Sequence, residues 1–206
     1  MIMERIPYIA TSASERYSGL QLPVGILLDN VRSMYNVGAF FRTADGAGVE
    51  RILLSGITAR PPKTAISKTA LGADAVVQWE GVDDPITAVH ELRTRGYEIA
   101  AIETSMCAVD IFEWQPQFPV FVLFGHEVDG LTPALLNYCD TRVRIPMLGS
   151  KHSLNVASAG AIVMYELLRK YRALREPRNL SLNLEQSHAI PPNAPNAHRS
   201  RLHSSL

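Results

Sequence analysis

The stretch VFVLFGHEVDGLTP, Val120 to Pro133, is the part of the chain that decides the fold. Val120 to Phe124 is an unbroken run of β-prone apolar residues, which matches a strand buried on both faces rather than one with a wet side. Gly125 follows at once, and a glycine at a strand end lets a ligand approach the backbone closely. Gly130 permits a sharp turn. Thr132-Pro133 then reads as a cap followed by proline at the first helical position, so a short helix is expected as far as Tyr138. A doubly buried strand, a polar loop and a helix in succession indicate a parallel sheet covered by helices. Within the loop, Glu127 reads equally as a surface carboxylate or as a site residue. An unpartnered His126 is weak ground for a general base.

The same rhythm recurs on both sides of this stretch. Val24 to Leu28 reads as a buried strand, Asp29 to Tyr35 as a loop, and Asn36 to Ala47 as a helix with Val37, Phe40, Phe41 and Ala44 on one face. Arg51–Leu54 and Val76–Trp79 are further expected strands. Asp84-Pro85 caps and opens a helix that stops at Gly96, and Glu98–Glu103 is the next strand. Val143–Ile145 is the last expected strand. Asn155–Arg172 reads as a long helix with Val156, Ala159, Ile162, Val163, Leu167 and Leu168 on its apolar face. No internal repeat is seen. The fold class expected is α/β, a mainly parallel sheet flanked by helices.

Composition bounds what such a fold can be. The 206 residues suit one domain with appendages, and 47% apolar residues can bury a substantial core. Twenty basic residues balance twenty acidic ones, which argues against nonspecific coating of nucleic acid but leaves room for a local basic surface. Cys107 and Cys139 have no metal-like spacing, and two buried thiols in a reducing compartment are expected. Met1–Leu20 carries charges and has no apolar core of a signal peptide, and no apolar run approaches the ~20 residues that span a bilayer. A cytosolic protein is expected, with no metal and no membrane. The expected organisation is an N-terminal extension over 1–22, an α/β domain over 23–174 and a disordered tail over 175–206, where Pro, Asn and Ser replace the periodic pattern. Arg5, Tyr8, Arg16 and Tyr17 in the extension, and the tail arginines, are candidates for touching RNA by charge and stacking.

Three segments place polar and glycine residues at the ends of strands, where open α/β sheets bind ligands. In the first, Leu28–Val49, Asn36 and Arg42 read either as a helix cap and a surface residue or as a pair near a substrate phosphate or ribose. Six residues apart, they do not share a helix face. The second is the Phe121–Pro133 stretch. In the third, Ile145–Leu168, Gly149 and Ser150 form a loop and Ser153 or Asn155 can cap the long helix. There is no G-x-G-x-x-G after the first strand, no P-loop, no G-x-S-x-G elbow and no metal cluster, so the common dinucleotide, phosphoryl-transfer, hydrolase and metalloenzyme readings are disfavoured.

Taken in order, the three segments resemble the three signature motifs of the SpoU (TrmH-type) family within the SPOUT methyltransferases. The residues that carry the resemblance are Asn36, Gly38 and Arg42; Gly125, Glu127 and Gly130-Leu131; and Ile145-Pro146-Met147, Gly149 and Ser153-Leu154-Asn155-Val156. Lys68–Ala73 resembles the segment between the first two motifs. The resemblance implies a deep trefoil knot in the C-terminal part of the domain, which general topology would not suggest. It implies bent S-adenosylmethionine held by Glu103, Thr104, Gly125, His126, Gly130, Ile145, Met147, Ser153 and Leu154. It also implies a homodimer through the knot helices, and methyl transfer to a ribose 2′-hydroxyl of RNA, with tRNA favoured over rRNA.

For catalysis the resemblance implies Arg42, Asn36, Glu127, Ser153 and Asn155. A ribose hydroxyl is a poor nucleophile until it loses its proton, so the site must align oxygen, carbon and sulfur and assist that loss. A guanidinium stays protonated in proteins. Arg42 is therefore expected to hold the ribose through an adjacent phosphate, which suits its fork. The competing expectations are a catalytically silent RNA-binding relative and an α/β enzyme with another nucleotide cofactor.

Overall fold

The computed structural model describes residues 21–175. Most of the N-terminal extension, with its arginines and tyrosines, and the tail beyond 175 lie outside the described residues. The elements in chain order are β1 (Leu22–Asp29), α1 (Met34–Ala47), β2 (Val49–Ser55), α2 (Thr64–Ala70), a 3₁₀ turn (Ala73–Ala75), β3 (Trp79–Val82), α3 (Pro85–Thr94), β4 (Glu98–Ile102), β5 (Val109–Asp110), β6 (Val120–Phe124), α4 (Pro133–Leu136), β7 (Thr141–Arg144) and α5 (Val156–Arg175).

The seven strands form one sheet in the order β3-β2-β1-β6-β4-β7-β5. Every pairing is parallel. Alternate side chains feed two cores, as a doubly covered sheet requires. Val24, Ile26, Leu28, Val122 and Phe124 pack with Phe40 and Phe41 of α1 and with Val163, Met164 and Leu167 of α5. Leu27, Ile99, Ala101, Phe121 and Leu123 face the other way, against Val89 and Leu92 of α3 and Leu135 of α4. Full burial of a side chain such as Phe40 stabilises by about 1.5–3 kcal/mol. Gly25 is a packing glycine: a Cβ there would overlap the ring of Phe121, its register partner on β6.

Two stitches shape the approach to the carboxyl ends of the strands. The buried Thr58 hydroxyl donates to Leu28 O and accepts Val31 N–H, both at 3.0 Å, joining the loops after β1 and β2. On the other half of the sheet, Lys170 of α5 donates to Ile111 O at 2.7 Å and to Trp114 O, fastening the chain after β5 to α5.

Several expected boundaries move for identifiable reasons. The Val76–Trp79 strand is instead a 3₁₀ turn followed by β3 at Trp79: Val77 plugs the core while Val76 is exposed. Leu71 and Gly72 hold positive φ values of 51° and 94°, which end α2 and start that turn. The helix α2 and the two-residue β5 were not expected. TAISKTA has too few large apolar residues for a clear period, and a two-residue strand has none. The helix expected from Asn36 starts at Met34, capped by Ser33, whose Oγ accepts Asn36 N–H at 3.3 Å. The short helix after Pro133 ends at Leu136, short of Tyr138, and the last strand lies at Thr141–Arg144. Among the described residues, no helix is long and apolar enough to cross a membrane, and no group of His, Cys, Asp and Glu could hold a metal ion.

Candidate active site

A cavity of about 420 Å³ opens at the carboxyl ends of β4, β6 and β7. The loop after β4 contributes Glu103 and Thr104. The loop after β6 contributes Gly125, His126, Glu127 and Gly130. The loop after β7 contributes Ile145, Met147, His152, Ser153, Leu154 and Asn155, and the first turns of α5 add Val156 and Ala159. All nine residues expected to hold a cofactor therefore line one space. Its wall combines apolar faces with two carboxylates, Glu103 and Glu127.

The loop after β6 is folded tightly back on itself. His126 N–H donates to Gly130 O at 3.1 Å, and Gly130 N–H donates to His126 O at 2.9 Å. Gly130 has φ 69°, and a Cβ on Gly125 would overlap the Gly130 carbonyl. Both glycines are thus required by this turn, one for its backbone conformation and one for its closeness. The His126 ring completes the turn: Nδ1 accepts the N–H groups of Val128 at 3.3 Å and Asp129 at 3.1 Å. Nδ1 also lies 3.0 Å from Asp129 Oδ2, a contact that attracts only if Nδ1 carries a proton. Two backbone donors aimed at one nitrogen decide for the lone pair there, which puts the ring proton on Nε2. A ring in that tautomer has no free lone pair with which to take a proton from substrate.

Glu127 fastens three elements together. Its carboxylate accepts Arg32 N–H and Ser33 N–H, each at 3.1 Å, and the Asn36 side-chain amide at 3.2 Å. Asn36 Oδ1 in turn accepts from Asn155 Nδ2 at 3.1 Å. Asn155 Oδ1 accepts the N–H groups of Ala157 and Ser158, at 2.9 and 3.2 Å, and so caps α5. The hydrogen bonds run in one direction, from the α5 N-terminus through two amides to one carboxylate, so each amide orientation is determined by its neighbours. Partial burial pushes the Glu127 carboxyl up. The N–H groups of Arg32, Glu127 itself and Ser33, with the Asn36 amide, outweigh that and hold it below its ordinary value.

Asn36, Glu127 and Asn155 are thus brought together, and Ser153 lines the cavity beside them in the chain. Arg42 is not with them. It is exposed on α1 and does not line the cavity. Six residues past Asn36 it stands about 9 Å further along the helix and two thirds of a turn away from it. Sequence reasoning missed His152 as a lining residue and missed the roles of Ser33 and of the Arg32 and Ser33 N–H groups. Backbone donors leave no residue-type signal, but a serine three residues before Asn36 was a legible cap. It also left Gly38 without a reason. A Cβ on Gly38 would overlap Thr69 Oγ1 and Ile66 O, so this glycine lets α2 cross α1, and Thr69 Oγ1 donates to Tyr35 O at 3.0 Å.

The chain is similar to known proteins in sequence and in fold. The chain is 30% identical over 155 residues to the 23S rRNA (guanosine-2′-O-)-methyltransferase RlmB of Pseudomonas syringae pv. tomato, which covers 75% of this chain and 62% of that protein. It spans about three fifths of the length of the first curated relatives that it matches. Its fold superposes on the crystal structure of the A. aeolicus TrmH/SpoU tRNA modifying enzyme with a TM-score of 0.69 at 28% identity, over 75% of this chain and 78% of that one. It also superposes on the AdoMet-bound rRNA methyltransferase from Sinorhizobium meliloti with a TM-score of 0.67 at 29% identity, over 71% and 56% of the two chains. The SpoU rRNA Methylase family model matches residues 23–165, which include the strands and loops that build the cavity. The chain belongs to the SpoU rRNA methylase family.

Proposed function

We propose that this chain transfers a methyl group from S-adenosylmethionine to a ribose 2′-hydroxyl of RNA. The observation that carries the reading is the cavity itself, walled by the loop after β4 and the loops of the second and third family motifs, and tied to the first motif by the Glu127–Asn36–Asn155 chain of hydrogen bonds. Its residues suit the cofactor. Ile145, Met147 and Leu154 offer apolar surface to an adenine, the turn at Gly125 and Gly130 allows close backbone approach, and Glu103 and Glu127 suit a ligand with a sulfonium and an ammonium. When bound there, that group supplies a methyl already activated by the positive sulfur.

The chain's own residues then have separate tasks. Asn36 and Asn155, oriented by Glu127, fix the cavity rim against which the ribose is placed, and Ser153 offers a hydroxyl to the same space. Arg42 holds the ribose through its phosphate and assists loss of the hydroxyl proton. Because Arg42 is exposed and outside its own chain's cavity, this role fits the homodimer we propose with it, in which α1 and α5 surfaces meet. Met34 and Tyr35 on α1 and Ile162 and Tyr165 on α5 are exposed apolar residues consistent with such a contact. The knot is proposed on the same footing: β7 lies between the earlier strands β4 and β5, and its loop closes one cavity with the loops after β4 and β6. Of the two RNA classes we favour tRNA, on the larger share of the tRNA modifying enzyme that the chain matches, 78% against 56% of the rRNA methyltransferase. A cytosolic location is part of the same proposal and is consistent with such a substrate.

The test is methyl transfer from labelled S-adenosylmethionine to unmodified tRNA and rRNA, with the product digested to identify 2′-O-methyl nucleotides. Label in a base, or in neither RNA, would defeat the proposal. The position of Arg42 outside the cavity favours one second reading, a relative that binds cofactor and RNA without turnover. Cofactor binding with no transfer to any RNA would select it.

A further inference from the structure

A second depression of about 480 Å³ adjoins the cofactor cavity. It is lined by Thr104, Arg144, Ile145, Pro146, Met147 and His152. Four of these, Thr104, Ile145, Met147 and His152, also line the first cavity, so the two spaces share a wall. They differ in charge. The first holds two carboxylates and no arginine or lysine, whereas the second holds a guanidinium and no carboxylate.

The guanidinium belongs to a stripe. In β7 the burial alternates: Val143 is fully buried, and Arg142 and Arg144 are exposed on the opposite face of the sheet. Neither arginine's side chain makes a hydrogen bond or an ion pair among the described residues, although Arg142 acts on the Cys139 thiol, and Lys151, exposed beside His152, adds a third cation after β7 in the sequence. The acid facing Arg144 is Asp110, its register partner on β5, whose Oδ1 accepts Phe112 N–H at 2.9 Å. An exposed guanidinium beside a groove with apolar walls matches an anion that carries a flat apolar group, and its fork suits phosphate.

We propose that this groove is a subsite for the RNA nucleotide next to the one that is methylated, with Arg144 on its phosphate and Ile145, Pro146 and Met147 against its base. The proposal rests on the RNA reading above. The cofactor's own carboxylate is the other anion that Arg144 could meet. The stripe decides against it, because Arg142 continues along β7 away from the shared wall, where a strand of phosphates can follow and a cofactor tail cannot.

The test compares the wild-type chain with Arg144→Ala, Arg144→Lys and Arg142→Ala/Arg144→Ala, after thermal unfolding has shown that each is folded. Binding of bulk tRNA and total rRNA is measured by filter retention over a salt series, and S-adenosylmethionine binding by calorimetry. Arg144→Ala is expected to weaken RNA binding about tenfold and to lower the salt slope by about one, with cofactor affinity unchanged within about twofold. Arg144→Lys should keep the slope and lose only part of the affinity. RNA affinity unchanged in both alanine variants would overturn the subsite and leave the methyltransferase reading standing. A loss of cofactor affinity instead of RNA affinity would assign the groove to the cofactor and overturn the proposal. A wild-type chain that binds neither RNA would overturn the RNA reading and the subsite with it.

Discussion

Glu127 shows how a single side chain can govern a site from its rim. Its carboxylate joins the loop before α1 to the turn after β6 and, through Asn36 and Asn155, to the start of α5. Glu127→Gln keeps the shape and removes the charge that two backbone donors and an amide require. Methyl transfer should fall about a hundredfold, the usual result of misplacing a reacting centre by about 1 Å. Because the folded carboxyl is held below its ordinary value, its contribution to stability is present above about pH 4.3 and disappears as pH falls through the folded value. Unfolding curves of wild type and Glu127→Gln should therefore differ by a constant amount from pH 7 to about pH 5 and converge below; a gap that widens on acidification would contradict this. His126 acts on the same turn through its Nδ1 lone pair. An asparagine oxygen can take that place, so His126→Asn should retain most activity while His126→Leu loses about tenfold or more, the cost of leaving two donors without an acceptor. Equal activity in both variants would show that the ring is not needed as an acceptor. Arg42→Ala should abolish transfer and leave cofactor binding intact. Near-normal turnover would remove Arg42 from the mechanism.

At the scale of elements, the crossing of α1 and α2 is the feature most exposed to a single change. Gly38 lies where α2 presents a backbone carbonyl and the Thr69 hydroxyl, neither of which is the free end of a flexible side chain. Gly38→Ala should gain about 1 kcal/mol of helix propensity and lose about 1–3 kcal/mol to overpacking. A net loss is expected, together with weaker substrate turnover, because α1 carries Asn36 as well as Gly38. Thermal unfolding and the methyl-transfer assay read the two effects, and a stabilised, fully active variant would show that the crossing can relax. This contact also gives a physical reason for the Lys68–Ala73 segment, which in the sequence alone only resembles the family's segment between the first two motifs. Its first half is the end of a helix packed on α1, and its Leu71-Gly72 pair turns the chain through two left-handed residues toward β3.

Across the whole molecule, the cavity proposed for the cofactor belongs to the folded state alone, since its walls come from loops separated by about 20 residues each. S-adenosylmethionine at a hundred times its dissociation constant should stabilise the fold by about 2.7 kcal/mol and raise the melting temperature by several degrees. Absence of any shift would exclude the cavity as its site. Much of this architecture could be read before the structure. Val120–Phe124 and the Asp84-Pro85 and Thr132-Pro133 caps lie where the residue pattern put them, because an unbroken apolar run and a cap followed by proline are local signals with local causes. The nine residues expected to hold a cofactor came from the family resemblance; the residue pattern itself supports only that in a parallel sheet every strand ends on the same edge, so strand-end loops gather there. Three things were decided only by tertiary structure. The strand order put the loops after β4, β6 and β7, rather than others, around one space. Close approach of distant elements gave Gly25, under the Phe121 ring, and Gly38, against α2, their necessity. The hydrogen bonds among Glu127, Asn36 and Asn155 span 91 and 119 residues of chain. Local pattern determines which residues form strands, caps and turns, but which donors and acceptors meet across such separations depends on the assembled fold.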